Sequence, residues 1–181
     1  MTIVSFYDTE TTGKNEPEHR FVEFTIMDFD LATGAHIETW TRRCNPLRRI
    51  DAKAQQVHGI TLAELENEPT FDVLAPEVIE RLRRGDLVCA HNGDFFDFPF
   101  TIRELARVGH LFTFKRTFDT MAGARWATGN GKIPRLGELC QCLDVPYDPA
   151  LAHSAEYDVG VMAQCFFEAR RIGQFQIAGL A

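Results

Sequence analysis

The ten-residue run FVEFTIMDFD at residues 21–30 constrains the fold more than any other stretch. It is a strand candidate, and Ala32-Thr33-Gly34 supplies a turn into a second β-type run at about 35–43. With a short apolar run at 2–7 ahead of it, the N-terminal part reads as an antiparallel meander. From residue 51 the pattern changes. Thr61 with Glu64 three residues later is a capping-box pattern that opens a short helix. Phe71, Leu74, Val78 and Leu82 stand at helical spacing and predict a helix over 71–84. Leu87-Val88-Cys89-Ala90 is a buried-strand candidate and HNGD a turn, after which Pro99 marks an early position of a helix ending near Val108. A short strand around 114–118, helices near 119–127 and 135–143, and a long helix over about 155–171 complete the chain. A meander followed by strands alternating with helices predicts an α/β fold, a mixed sheet flanked by helices. At 181 residues it fits one domain, 1–181, with a core large enough to need no disulfide or structural metal.

A formal charge of −7 argues against a broad electrostatic grip on duplex phosphate. It does not exclude an enzyme that holds only a strand end, and part of the acidity would be offset if divalent metal bound to carboxylates. Five cysteines and no basic leader at MTIVSFYD predict reduced thiols, a mature N-terminus and a cytoplasmic location. Cys140 and Cys142, two apart in a predicted helix, do not face each other and give no zinc site. No run approaches the length of a membrane helix.

Three acidic clusters carry the chemistry. In YDTETTG, Asp8 and Glu10 sit two apart at the end of an apolar strand, so both point to one sheet face. A solvated strand end would explain them, as would a divalent cation between like charges that otherwise raise each other's pKa; hard oxygen ligands suit Mg²⁺ or Mn²⁺. In HNGDFFD, Asp97 follows a buried strand, at the edge where open α/β sheets bind ligands. It reads either as a ligand or as a helix N-terminal acid, and Asp94 as a turn acid. In HSAEYD, Asp158 precedes Val161 by three and Met162 by four, which places it on the core-facing stripe of the last helix. A carboxylate there is either hydrogen-bonded to backbone or bound to metal. His153 lies just before that helix, at a surface or capping position. Together Asp8, Glu10, Asp97 and Asp158 with one histidine make the inventory of a two-metal phosphodiester hydrolase, with His153 able to take a proton from water.

The strings YDTETTG, HNGDFFDFP and HSAEYD, in this order, resemble the three motifs of the DEDDh family of DnaQ-like 3′→5′ exonucleases, the last two being similar to those of TREX-type DNA exonucleases. The resemblance implies an RNase H-like fold with a five-stranded mixed sheet, and release of nucleoside 5′-monophosphates from DNA 3′ ends. It implies Asp8, Glu10, Asp97 and Asp158 as ligands of two Mg²⁺ or Mn²⁺ ions, Asp8 bridging, and His153 as general base. Thr9, Thr11 and Thr12 would approach the terminal nucleotide, Asn92 and Phe96 would line the site, and Val57 and His58 would pack against terminal bases. Phe96 reads equally as a stacking or a core residue. Where many relatives carry Leu or Met after the glycine, this chain has Lys14, which suits a phosphate contact. The chain lacks the Pro-rich insertion and apolar tail of some animal TREX proteins and reads as a minimal catalytic domain, with a homodimer through a sheet edge at 35–43. An RNA exonuclease and a polymerase proofreading subunit are the alternatives.

Overall fold

The computed structural model describes residues 1–14, 17–152 and 154–179. Five strands form one sheet in the order β3-β2-β1-β4-β5: β1 Ile3–Thr11, β2 Phe21–Asp30, β3 His36–Arg43, β4 Leu87–Ala90 and β5 Thr117–Asp119. β1, β2 and β3 pair antiparallel, and β4 and β5 add parallel to β1. The meander and the mixed sheet are as the sequence predicts. β1 runs four residues further than expected, because its ladder with β2 continues from Tyr7↔Ile26 to Thr11↔Phe21, with a register shift between Glu10 and Thr11.

The helices are α1 Ala52–His58, α2 Leu62–Leu65, α3 Phe71–Arg84, α4 Asp97–Arg107, α5 Thr120–Gly123, α6 Leu136–Cys142 and α7 Ala155–Arg171, with a 3₁₀ turn at Arg125–Ala127. The capping box at α2 forms: Glu64 N–H donates to Thr61 Oγ1, and Thr61 N–H donates to Glu64 at 2.7 Å. α1 was not anticipated.

Strand alternation sorts side chains onto two cores. Val4 and Phe6 of β1, with Leu87 and Cys89 of β4, pack beneath α6 and α7 against Leu139, Val159, Met162 and Phe166. Tyr7 of β1, with Phe24 and Ile26 of β2 and Val88 and Ala90 of β4, packs beneath α3 and α4 against Leu74, Val78 and Phe100. Continuing the alternation, Asp8 and Glu10 fall on the α7 face and Thr9 on the α4 face. That parity positions the site.

Candidate active site

Asp8, Glu10, Asp97 and Asp158 line one cavity of about 610 Å³ at the end of β1. Asp8 and Glu10 come from the strand, Asp158 from the first turn of α7 above their face, and Asp97 from the start of α4. Asp97 is buried, and Thr9, on the opposite face of β1, donates its hydroxyl to Asp97 Oδ1 at 2.7 Å. So one dipeptide step of β1 supplies an acid to the cavity and a clamp for a second acid.

The electrostatics are strained. Burial pushes the Asp8 carboxyl well up from its ordinary range, with Asp97, Glu10 and Asp158 adding to the shift. Glu10 rises to about 8, chiefly by burial, then through Glu23, Asp158 and Asp97, with Lys14 opposing. Glu23 lies directly across the ladder from Glu10 and is itself held by Arg43 Nε at 2.8 Å. Asp97 rises to about 7 by burial, against the lowering effect of the Thr9 hydroxyl. Among the described residues no three His, Cys, Asp or Glu side chains converge tightly enough to hold a metal ion. The donor set nevertheless fits hard divalent cations. Asp8 and Glu10 are raised in part by the other acids of the cavity, and positive charge among the carboxylates is what relieves that.

The loop bearing Asn92 is fixed from below by a residue the sequence reading did not single out. Asp119, buried at the end of β5, accepts the N–H groups of Asn92 (3.0 Å) and Asp94 (3.2 Å) as well as those of Met121 (2.8 Å) and Ala122 (3.1 Å). An acid just after a predicted strand and just before a predicted helix is the N-cap signal that would have found it. Asn92 has φ 72°, a left-handed conformation that Asn tolerates, and its carbonyl accepts Phe96 N–H at 3.0 Å. Gly13 is required by close approach, since a Cβ there would stand 2.1 Å from His19 Cε1.

Of the expected nucleotide contacts, Thr9, Thr11, Val57, His58, Asn92 and Phe96 line the cavity. Thr9 and Thr11 are buried, and their hydroxyls are engaged with Asp97 and with the Gly13 carbonyl. Thr12 is not brought to the cavity. It is fully buried, its hydroxyl facing His19 Nδ1 at 3.2 Å and accepting Arg20 N–H at 3.0 Å. Ile60 N–H donates to His58 Nδ1 at 3.0 Å, which leaves Nε2 to carry the proton of the neutral ring. Lys14 is exposed and lines the cavity, with Nζ 5.8 Å from the Phe96 ring centroid. Asp94 is a turn residue, as expected. His91, His19, Asp51 and Lys53 also line the cavity and were not anticipated; burial pushes His91 down to about 4. His153, expected as general base, lies outside the described residues.

The exonuclease family model RNase_T matches residues 5–166, a span containing every motif above. The chain belongs to this exonuclease family. Its relatives place it among DnaQ-like 3′→5′ exonuclease domains. Over 172 residues this exonuclease domain is 28% identical to the DNA polymerase III epsilon subunit of Escherichia coli, covering 88% of this chain and 68% of that one. It is 29% identical over 160 residues to a PolC-type DNA polymerase III of Mycoplasmopsis pulmonis, covering 88% of this chain but only 11% of the polymerase. Exonuclease I of E. coli, solved as a complex with single-stranded DNA, superposes with a TM-score of 0.80 at 18% identity, over 95% of this chain and 41% of that one. The fold is RNase H-like, with the exonuclease domain matching a minor part of the larger relatives. Among the described residues no helix is long and apolar enough to cross a membrane.

Proposed function

We propose that this chain removes nucleoside 5′-monophosphates from the 3′ end of DNA by hydrolysis that depends on two divalent cations, Mg²⁺ or Mn²⁺, held by Asp8, Glu10, Asp97 and Asp158. The observation that carries the proposal is the gathering of all four carboxylates around one cavity, under electrostatic strain that cations relieve. When bound, such ions supply Lewis acidity toward water and toward the leaving oxygen. The protein does the positioning. The Thr9 hydroxyl orients Asp97, and Asp119 fixes the Asn92 turn. Val57 and His58 from α1, Asn92 and Phe96 from the opposite wall, and the backbone at Thr9 and Thr11 enclose the terminal nucleotide. His153, five residues before Asp158, takes the proton of the attacking water.

The relatives favour DNA over RNA, since they include DNA polymerase subunits and an exonuclease solved on single-stranded DNA. The similarity to epsilon favours a proofreading subunit as the second reading, with co-purification of a polymerase as its test. The free edge of β3 is the surface for a homodimer, which sedimentation would reveal as twice the mass. All five cysteines are free thiols, in keeping with a reducing, cytoplasm-like compartment.

The deciding experiment is a digestion panel with Mg²⁺: single-stranded DNA, duplexes with varied 3′ ends, and matched RNA. Mononucleotide release from DNA, lost in Asp8→Ala, is expected, together with an acid-side loss of rate that disappears in His153→Ala. No release from any substrate refutes the activity; faster release from RNA refutes DNA as the substrate.

A further inference from the structure

A second cavity, of about 500 Å³, is lined by residues next in sequence to some that line the first. Arg20, Arg48, Arg49 and Arg107 line it, against the carboxylates of Glu18 and Asp72. The four arginines are not equivalent. Glu104, fully buried, accepts Arg20 Nη1 at 3.3 Å and both Arg107 Nε and Nη2 at 2.9 Å. Arg20 also donates to the carbonyls of Pro17 and His19. These two arginines are committed to the fold. Among the described residues, Arg48 and Arg49 form no ion pair; Arg48 Nε reaches only the Arg49 carbonyl, at 3.4 Å.

The chain segments that line the two cavities are hydrogen-bonded to one another through Thr12. Thr12 N–H donates to the Arg20 carbonyl at 2.8 Å, and Asp51 N–H donates to the Thr12 carbonyl at 2.9 Å. His19 and Asp51 face the acid cavity, while Arg20 and Arg49, one and two residues away, face the arginine cavity. Lys53, on the acid cavity's rim, continues the basic line of Arg48 and Arg49 along the same segment. The acid cavity offers only Lys14 and Lys53 as fixed cationic side chains of its own, so further phosphates of a long substrate would find their contacts outside it. In a chain of formal charge −7, Arg48 and Arg49 are two guanidinium groups side by side at one hollow and without an ion pair among the described residues.

We propose that the arginine cavity is a phosphodiester subsite that holds the substrate's own strand upstream of the nucleotide in the acid cavity, with Arg48 and Arg49 making the contacts. The nature of the strand rests on the exonuclease reading. Guanidinium forks match phosphate oxygens bidentately, and such contacts position a strand without reading its sequence.

The test compares the wild type with Arg48→Ala/Arg49→Ala on two substrates with Mg²⁺. The p-nitrophenyl ester of thymidine 5′-monophosphate has no upstream phosphate, and both proteins should turn it over equally. On a twelve-residue oligothymidylate the double variant's KM should rise about tenfold with kcat held. The slope of log binding against log salt should shrink by about 1.4, two contacts at about 0.7 each for a single strand. An unchanged KM and salt slope on the oligonucleotide, with the ester still hydrolysed, overturns the subsite. If the wild type hydrolyses neither substrate, the exonuclease reading fails, and anisotropy of the labelled oligonucleotide in EDTA decides the subsite. Binding at least tenfold weaker in the variant then supports it; equal binding overturns it. Arg49→Glu alone, at an exposed position, gives the same comparison should the double variant fold poorly.

Discussion

Replacing Glu10 by Gln should destroy activity and stabilise the metal-free protein, by an amount that depends on pH. Burial and the neighbouring acids raise Glu10 from an ordinary 4.5 to about 8. Below about pH 4.5 the carboxyl is protonated in both folded and unfolded chains and contributes nothing. Between there and about pH 8 the folded chain keeps a proton that the unfolded chain has released, so stability falls as pH rises. Above about pH 8 the loss is complete. At about 1.4 kcal/mol per pKa unit the ceiling is about 5 kcal/mol. Asp8 and Asp97 are raised as well and relieve part of the strain by their own protonation, which leaves roughly 2–4 kcal/mol for Glu10. In a domain of this size that is roughly 5–15 °C in Tm at pH 8. The assay is a series of thermal melts from pH 5 to 9 with divalent ions chelated. The gap between Glu10→Gln and wild type should open with rising pH, level off near pH 8, and narrow when Mg²⁺ is added, since the ion stabilises the wild type more. A gap that stays constant across that range, or a wild type more stable than the variant at pH 8 without metal, would refute the reasoning.

Thr9→Val removes the hydroxyl that orients Asp97 while keeping the shape, and should raise the Mg²⁺ concentration for half-maximal rate by about 10- to 100-fold, with Thr9→Ser restoring it; a metal titration of exonuclease rate checks this. Asp119→Ala strands four backbone donors and should cost about 2–4 kcal/mol in urea melts. Phe6→Ala, at a fully buried position against Phe29, Phe166 and Phe167, should cost about 3–5 kcal/mol by the same measurement. Glu104→Gln removes the buried charge that Arg20 and Arg107, both partly exposed, share, and a loss of about 1–3 kcal/mol is expected.

Elements that bury an apolar stripe were legible. α3 runs over 71–84 as predicted, because Phe71, Leu74, Val78 and Leu82 are all buried on one side of it. α1 was not, because none of its seven residues is buried and it offers no periodic signal. β5 is three residues at 117–119 rather than a run around 114–118, since Phe112 and Phe114 reach the α4-side core from irregular chain. The four acids were legible because each breaks an apolar pattern: Asp8 and Glu10 follow the apolar start of β1, Asp97 follows a buried strand, and Asp158 interrupts a helix stripe. What holds them was not. The Thr9–Asp97 bond spans 88 residues, and the grip of Asp119 on Asn92 spans 27; such distant pairings leave no local trace. Thr12 shows the converse, a residue inside a motif whose side chain serves the wall behind the cavity.

The four hydrogen bonds on Asp119 also bear on how this domain tolerates added sequence. They tie the edge strand β5 and the turn before Asp97 into one mechanical unit, so the outermost strand is not a free border. Extra residues placed in the exposed stretch at 129–132 should pass unnoticed by the carboxylates. The same number inserted between Phe118 and Thr120 should leave most of the sheet standing while unseating Asp97. A scan of short insertions would therefore map two borders that look alike from outside, one of them wired to the chemistry.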